Sequence, residues 1–206
     1  SVEAFGEHVV ALLDHLGAGE AVLGGTSIGA NVALEVAVRA PDRVRGLLLE
    51  APVLDNALET GLLAASPLLL TARVLPVALD AARIASRPVP RSLLPFWAGI
   101  AVDALDQRSG ATAALLHGLL FGRLAPRSRE RRQISVPTLV VSHPRDPLHR
   151  TSDADLVASE IPGAELVRAR GVLEWRLRPE RLTHAAIGFC QSSWRVPSRR
   201  RRAAGR

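Results

Sequence analysis

The sequence predicts an α/β fold, a parallel sheet interrupted by a block of helices. Three observations carry this. A short apolar run, Ala21-Val22-Leu23, leads into Gly25-Thr26-Ser27-Ile28-Gly29, and a helix-forming stretch follows. That helix delivers the chain to a second apolar run, Gly46-Leu47-Leu48-Leu49, and strands joined through a helix lie parallel. From residue 55 to residue 132 leucine and alanine dominate and prolines recur at 67, 76, 88, 90 and 95, before VPTLVVS at 136–142 resumes the sheet.

The elements follow in order. Residues 2–16 read as an amphipathic helix, with Val9, Leu12, Leu13 and Leu16 at helical spacing and Gly17 as its stop. Residues 21–23 are a short buried strand, and 28–39 a helix rich in the small residues that pack beneath a sheet. Pro41-Asp42-Arg43-Val44 ends that helix, and 44–49 is the second strand. The block 55–132 reads as several short helices in which Phe96-Trp97 and Phe121 supply much of the aromatic surface, closing in a basic, polar linker at 123–132. After the strand 136–142, Ser152 is expected to cap a helix with Asp155 as its capping-box partner, and Leu156, Val157 and Ile161 to form its apolar face. Residues 165–167 are the last strand and 178–189 the closing helix. The organisation expected is therefore a core segment at 1–54, a helical insertion at 55–132, a second core segment at 133–194 and an arginine-rich, disordered tail at 195–206.

Size and composition narrow the function classes. A chain of 206 residues with 48% hydrophobic content supports one domain with an elaboration. All 26 basic residues are arginine, and the net charge is +6. The tail from Arg195 onward holds six arginines and no acid, so the rest of the chain is neutral by count. Basicity is thus a property of the tail rather than of a binding face, and nucleic acid is not an expected partner. The single cysteine, Cys190, excludes an internal disulfide framework and a cysteine-based metal site, and is read as a packing residue. No metal-spaced histidine cluster appears, so neither metal nor cofactor is expected. The most apolar region, 61–82, is broken by Pro67, Arg73, Pro76 and Asp80 and makes a poor membrane span. No secretory signal opens the sequence, and a cytoplasmic protein is the expectation. Composition leaves the oligomeric state open.

The segment at 25–29 carries chemistry. G-x-S-x-G between strand and helix is the context of a nucleophile elbow, a turn that lifts a serine hydroxyl above the strand ends at a helix N-terminus. Side chains beside Ser27 would crowd such a turn, which accounts for Gly25 and Gly29. The helix dipole and the free N–H groups there favour developing negative charge.

With those residues in view, 12–52 resembles the middle of the α/β-hydrolases. Residues 136–165 resemble their seventh strand, acid loop and following helix, and 164–190 their last strand and last helix. The resemblance implies Ser27 as nucleophile, the N–H of Ile28 as an oxyanion donor, and 55–132 as a lid that supplies an apolar substrate pocket. It places the acid at Asp146, in His143-Pro144-Arg145-Asp146-Pro147, with Asp55 as a second candidate. It also implies that strands before the elbow are absent, so the core is partial and the first strand is left as an open edge.

The base departs from the family pattern. The family's histidine stands seven residues before a Pro-Glu pair; Pro179-Glu180 is present, but the position holds Val172, after Gly171. Three readings stay open. His149, three residues after Asp146, substitutes, ahead of His143 beside the strand and His184 in the last helix. Alternatively His117 serves from the lid, or the chain lacks a base and binds rather than hydrolyses. The function expected is hydrolysis of an ester or related acyl bond of a small, apolar substrate through Ser27. The alternative is a catalytically impaired binding protein of the same fold.

Overall fold

The computed structural model describes residues 1–54 and 122–195, with isolated positions between 77 and 118. The chain divides into two compact units, Ser1–Leu58 with Arg123–Arg206, and Glu59–Gly122. In the second unit the described positions from 77 to 85 and from 110 to 118 are helical. Asp55, Phe96, Trp97, Phe121 and the arginines beyond Arg195 lie outside the described residues.

The first unit holds a four-stranded parallel sheet in chain order, β1 (Ala21–Thr26), β2 (Val44–Glu50), β3 (Thr138–Ser142) and β4 (Glu165–Arg168). Leu23 pairs with Leu47, Leu49 with Val140, and Val140 with Leu166, and the register between β1 and β2 shifts once, between Ala21 and Val22. Helices cover both faces, and this is why the inner strands read as unbroken apolar runs rather than as alternation. Leu47, Leu49 and Val140 turn to one face, against Leu34 of α2 (Ile28–Arg39) and Val157 of α4 (Thr151–Glu160). Leu139 and Val141 turn to the other, against Leu182 and Phe189 of α6 (Glu180–Arg195), with Cys190 packed alongside. Leu34, Leu47 and Leu49 have no exposed surface, and truncating any one to alanine would cost about 2–5 kcal/mol.

Helix α1 (Val2–His15) starts where Ser1 accepts the Ala4 N–H at 3.3 Å. Leu13 is buried and Val9 packs against the core as expected, beside Val2 and Gly6, but Leu12 and Leu16 are 54% and 65% exposed. At Gly6 the helix packs against Val36 and Glu35 of α2.

Two expectations need correction. Ser152 lies inside α4 rather than at its cap; Arg150 holds the N-cap position, and Asp155 pairs with Arg168 on β4 at 2.6 Å. The acid that matters in the first turn is Asp153, fully buried, whose Oδ2 accepts the Leu54 N–H at 2.8 Å. With Asp153 turned inward, Leu156 is carried outward and is 38% exposed, while Val157 and Ile161 pack inside as expected. The supposed basic linker contains α3 (Ser128–Arg131), and Arg131 is buried against Glu160 at 2.5 Å. A guanidinium can be buried there because a carboxylate and the Pro126 carbonyl meet it. Asn31 of α2 performs a related task. Its side-chain amide donates to the carbonyls of Val53 (2.6 Å) and Leu124 (2.8 Å), and its oxygen accepts the Val53 N–H (3.2 Å). It therefore fixes the chain both where it leaves β2 and where it returns ahead of α3.

Candidate active site

The turn between β1 and α2 bends sharply at Ser27, which has φ 58° and ψ −119°. A non-glycine residue there is strained, of order 1–3 kcal/mol, and persists only when its surroundings impose it. They do so here. The Ser27 N–H donates to the Glu50 carbonyl at 2.8 Å, and the Ser27 carbonyl accepts the N–H groups of Ala30 (3.0 Å) and Asn31 (3.3 Å). Gly25 is required by the same bend, since a Cβ there would stand 2.3 Å from the Gly29 carbonyl carbon. Gly29 is not required in that way. A Cβ at 29 meets nothing within 4 Å among the described residues, so its flank of the turn is open rather than crowded.

Ser27 occupies the N-cap of α2 yet makes no capping hydrogen bond. Its Oγ lies 2.8 Å from Nε2 of His149 instead. His149 Nδ1 lies 2.9 Å from Asp146 Oδ2, and Asp146 Oδ1 accepts the N–H groups of Leu148 (2.8 Å) and His149 (3.1 Å). One carboxylate thus turns the loop after β3 and faces the imidazole it carries. Burial alone would push the Asp146 carboxyl up, but the Leu148 N–H and the hydrogen bond and charge of His149 outweigh it and hold it below the usual aspartate range. The N–H groups of Ile28 and Gly29, in the first turn of α2, are among those that a helix leaves without internal partners.

His184 is exposed on α6, and His117 is exposed in the second unit. Val172 is half-buried in the loop after β4. That loop is closed by Glu174, which accepts the Arg170 N–H and pairs with Arg181 at 2.8 Å. His143 is buried and engaged at both ring nitrogens, Nε2 with Glu50 Oε1 at 2.8 Å and Nδ1 with the Gly171 carbonyl at 3.3 Å. Glu50 Oε2 also accepts the Thr26 hydroxyl at 2.5 Å. Sequence reasoning passed over Glu50. The signal was present, since a carboxylate closing the buried run Leu47-Leu48-Leu49 must find partners.

Among the described residues no cluster of His, Cys, Asp and Glu is suited to hold a metal ion, and no helix is long and apolar enough to cross a membrane.

A family model described as alpha/beta hydrolase fold matches residues 1–175. Comparison with curated proteins gives no match. Among solved structures, the chain is similar to the enol-lactonase from Burkholderia xenovorans LB400, at 19% identity and a TM-score of 0.67, over 92% of this chain and 72% of that one. It is similar to a hydrolase from Pseudomonas aeruginosa PA01, at 23% identity and a TM-score of 0.66, over 89% and 69% of the two chains. It is also similar to a thermophilic esterase from Thermogutta terrifontis, at 22% identity and a TM-score of 0.61, over 94% and 73%. At these identities the likeness is one of fold. With the family model spanning most of its length, the chain belongs to the α/β-hydrolase fold family.

Proposed function

We propose that this protein hydrolyses an ester or related acyl bond of a small, apolar substrate, with Ser27 as nucleophile, His149 as base and Asp146 as the acid that orients it. The observation that carries the reading is the continuous line from Ser27 Oγ through His149 to Asp146, with spacings of 2.8 and 2.9 Å. Two adjacent bonds within hydrogen-bond reach are what nucleophilic serine chemistry needs. Ser27 Oγ attacks the acyl carbon and its proton passes to His149 Nε2. Asp146 accepts the Nδ1–H, fixes the tautomer and stabilises the imidazolium. The carbonyl oxygen gains negative charge at the start of α2, where the Ile28 N–H is the proposed donor. Collapse breaks the bond to the leaving alcohol, which takes the proton from His149. Water, deprotonated by the same imidazole, then releases the acid and restores Ser27.

The base here comes from the acid loop rather than from the loop after β4. An Asp and a His three residues apart on one turn can do this because the carboxylate both shapes the loop and faces Nδ1. The alternative, a binding protein of the same fold, draws on Val172 at the family's base position; the contact of His149 with Ser27 supports the hydrolase reading over it. The proposed role of residues 55–132 is a lid whose apolar side chains form the acyl pocket.

The test is labelling of the full chain with a fluorophosphonate probe. Labelling should be stoichiometric, lost in Ser27→Ala and strongly slowed in His149→Ala. Labelling that survives Ser27→Ala would refute the nucleophile, and no labelling of the unaltered protein would favour the binding reading.

A further inference from the structure

We propose that Glu50 and His143, neither of them in the reacting line, form a buried positioning pair that holds the turn bearing Ser27 against the loop bearing Asp146 and His149. The inference rests on the reading of Ser27 as nucleophile. Glu50 reaches three ways from the end of β2. Its carbonyl accepts the Ser27 N–H at 2.8 Å, its Oε2 accepts the Thr26 hydroxyl, and its Oε1 faces His143 Nε2 at 2.8 Å. His143 directly follows β3 and stands three residues before Asp146. Its second nitrogen faces the Gly171 carbonyl at 3.3 Å, on the loop after β4. One pair thus ties together the ends of β1, β2 and β3 and the loop that follows β4.

Both nitrogens of His143 face acceptors, so both bonds form only when both nitrogens carry protons. The side chains are 5% and 10% exposed, so the pair is an imidazolium and a carboxylate taken out of water. The charged groups facing it are Asp146 on the adjoining loop and Arg176 of α5 (Glu174–Leu177), 3.9 Å from Glu50 Oε2. The Glu50 hydrogen bond outweighs burial and raises the His143 pKa above its ordinary value, with the Gly171 carbonyl adding to it. A buried ion pair is a poor device for stability alone, because well-packed apolar residues of similar volume do as well or better. Its value lies in geometry, and this pair joins the strained residue 27 to the loop that supplies its partner. A displacement near 1 Å at a reacting pair can cost about 10²-fold in rate.

Two experiments test this. Acylation of Ser27 by a fluorophosphonate is followed from pH 6 to pH 10 in the unaltered chain and in His143→Gln, whose amide can donate to Glu50 but does not titrate. The unaltered chain should slow as His143 loses its proton. His143→Gln should be slower by about 10²-fold at pH 6, with no alkaline fall, and on a short activated ester kcat should drop while KM holds. In Ser27→Ala, where the pair is intact, NMR should show the Thr26 and residue-27 amides shifting with the midpoint of the His143 imidazole, and Glu50→Gln should lower that midpoint. Wild-type acylation by His143→Gln, an alkaline fall that persists in it, or amides that ignore His143 would each overturn the proposal. If the amides follow His143 but the unaltered chain never acylates, the nucleophile reading has failed, and the pair is a clamp without a catalytic task.

Discussion

His149 Nε2 stands 2.8 Å from Ser27 Oγ, although the two residues are 122 positions apart in the chain. Nothing local brings them together. The parallel sheet does, because the C-terminal ends of β1 and β3 lie on one edge with β2 between them, and both residues sit just past those ends. The turn after β1 presents a hydroxyl and the loop after β3 presents an imidazole, both beyond the carboxyl ends of the strands, the end at which open α/β sheets generally bind ligands.

If that contact is the working one, His149→Ala should lower the rate on a short activated ester by about 10²–10⁴-fold, the usual worth of a positioned base. Asp146→Asn should cost a similar factor with little loss of stability, because an amide oxygen can still accept the Leu148 and His149 N–H groups. Val172→His should change little, since the serine already faces an imidazole. A gain from Val172→His together with indifference to His149→Ala would move the base back to the loop after β4.

The bend at Ser27 predicts a trade between stability and activity. Ser27→Gly abolishes the nucleophile but relieves a positive φ that only glycine adopts freely. Its unfolding free energy should rise by about 1 kcal/mol relative to Ser27→Ala, which keeps the strain. Equal stability of the two variants in urea would show that the surroundings, not the residue, carry the cost.

The two glycines of the motif should behave differently. Gly25→Ala places a methyl 2.3 Å from backbone carbon and should destabilise by at least about 1–3 kcal/mol or prevent folding. Gly29→Ala meets nothing within 4 Å among the described residues and should fold with a melting temperature near that of the unaltered chain. A large loss for Gly29→Ala would show that both glycines, not Gly25 alone, are required by the bend.

The strands, the two helices around the elbow, and the Ser27 and Asp146 positions were legible because each rests on local pattern: an apolar run, a turn with its flanks, a loop at a known place. What was illegible depended on side chains finding partners across the chain. Leu12 and Leu16 satisfy the helical period of α1 but face outward, because a period marks a stripe without saying which part of it meets α2. Asp153 outcompeted Ser152 in the first turn of α4 because the Leu54 N–H needed an acceptor. Arg131 looked like a solvated linker charge until Glu160, 29 residues on, buried it. His149 was in view as a substitute base, but only the register of β1, β2 and β3 brings it to Ser27.

The Arg131–Glu160 pair gives a prediction of its own. With side chains 8% and 4% exposed, removing one partner leaves a buried charge without its counter-charge. Arg131→Ala or Glu160→Ala should each cost about 3–5 kcal/mol. A double change to Met and Leu should recover much of that, because it removes both desolvation penalties at once. Denaturant unfolding of the three variants decides it, and a double variant no better than the singles would mean that the Pro126 carbonyl, which also accepts from Arg131, dominates.

Stability should also follow pH through Glu50 and His143, with signs that can be worked out. Burial opposes the charge on Glu50, but the hydrogen bonds from His143 and Thr26 and the nearby Arg176 outweigh it and depress its pKa. Its contribution is present above the unfolded value of about 4.3 and is lost as pH falls through the lower folded value. The His143 pKa is raised, so its contribution is complete below the unfolded value of about 6.5 and is lost as pH rises through the higher folded value. Between about pH 4.3 and about pH 6.5 both contributions are in force. The stability difference between the unaltered chain and His143→Gln, measured by urea unfolding, should therefore be largest near pH 6 and shrink steadily toward pH 9. A difference that stays level or grows over that range would mean that His143 is neutral in the folded protein, with one nitrogen left without a proton to donate, and the pair would then be an ordinary hydrogen bond.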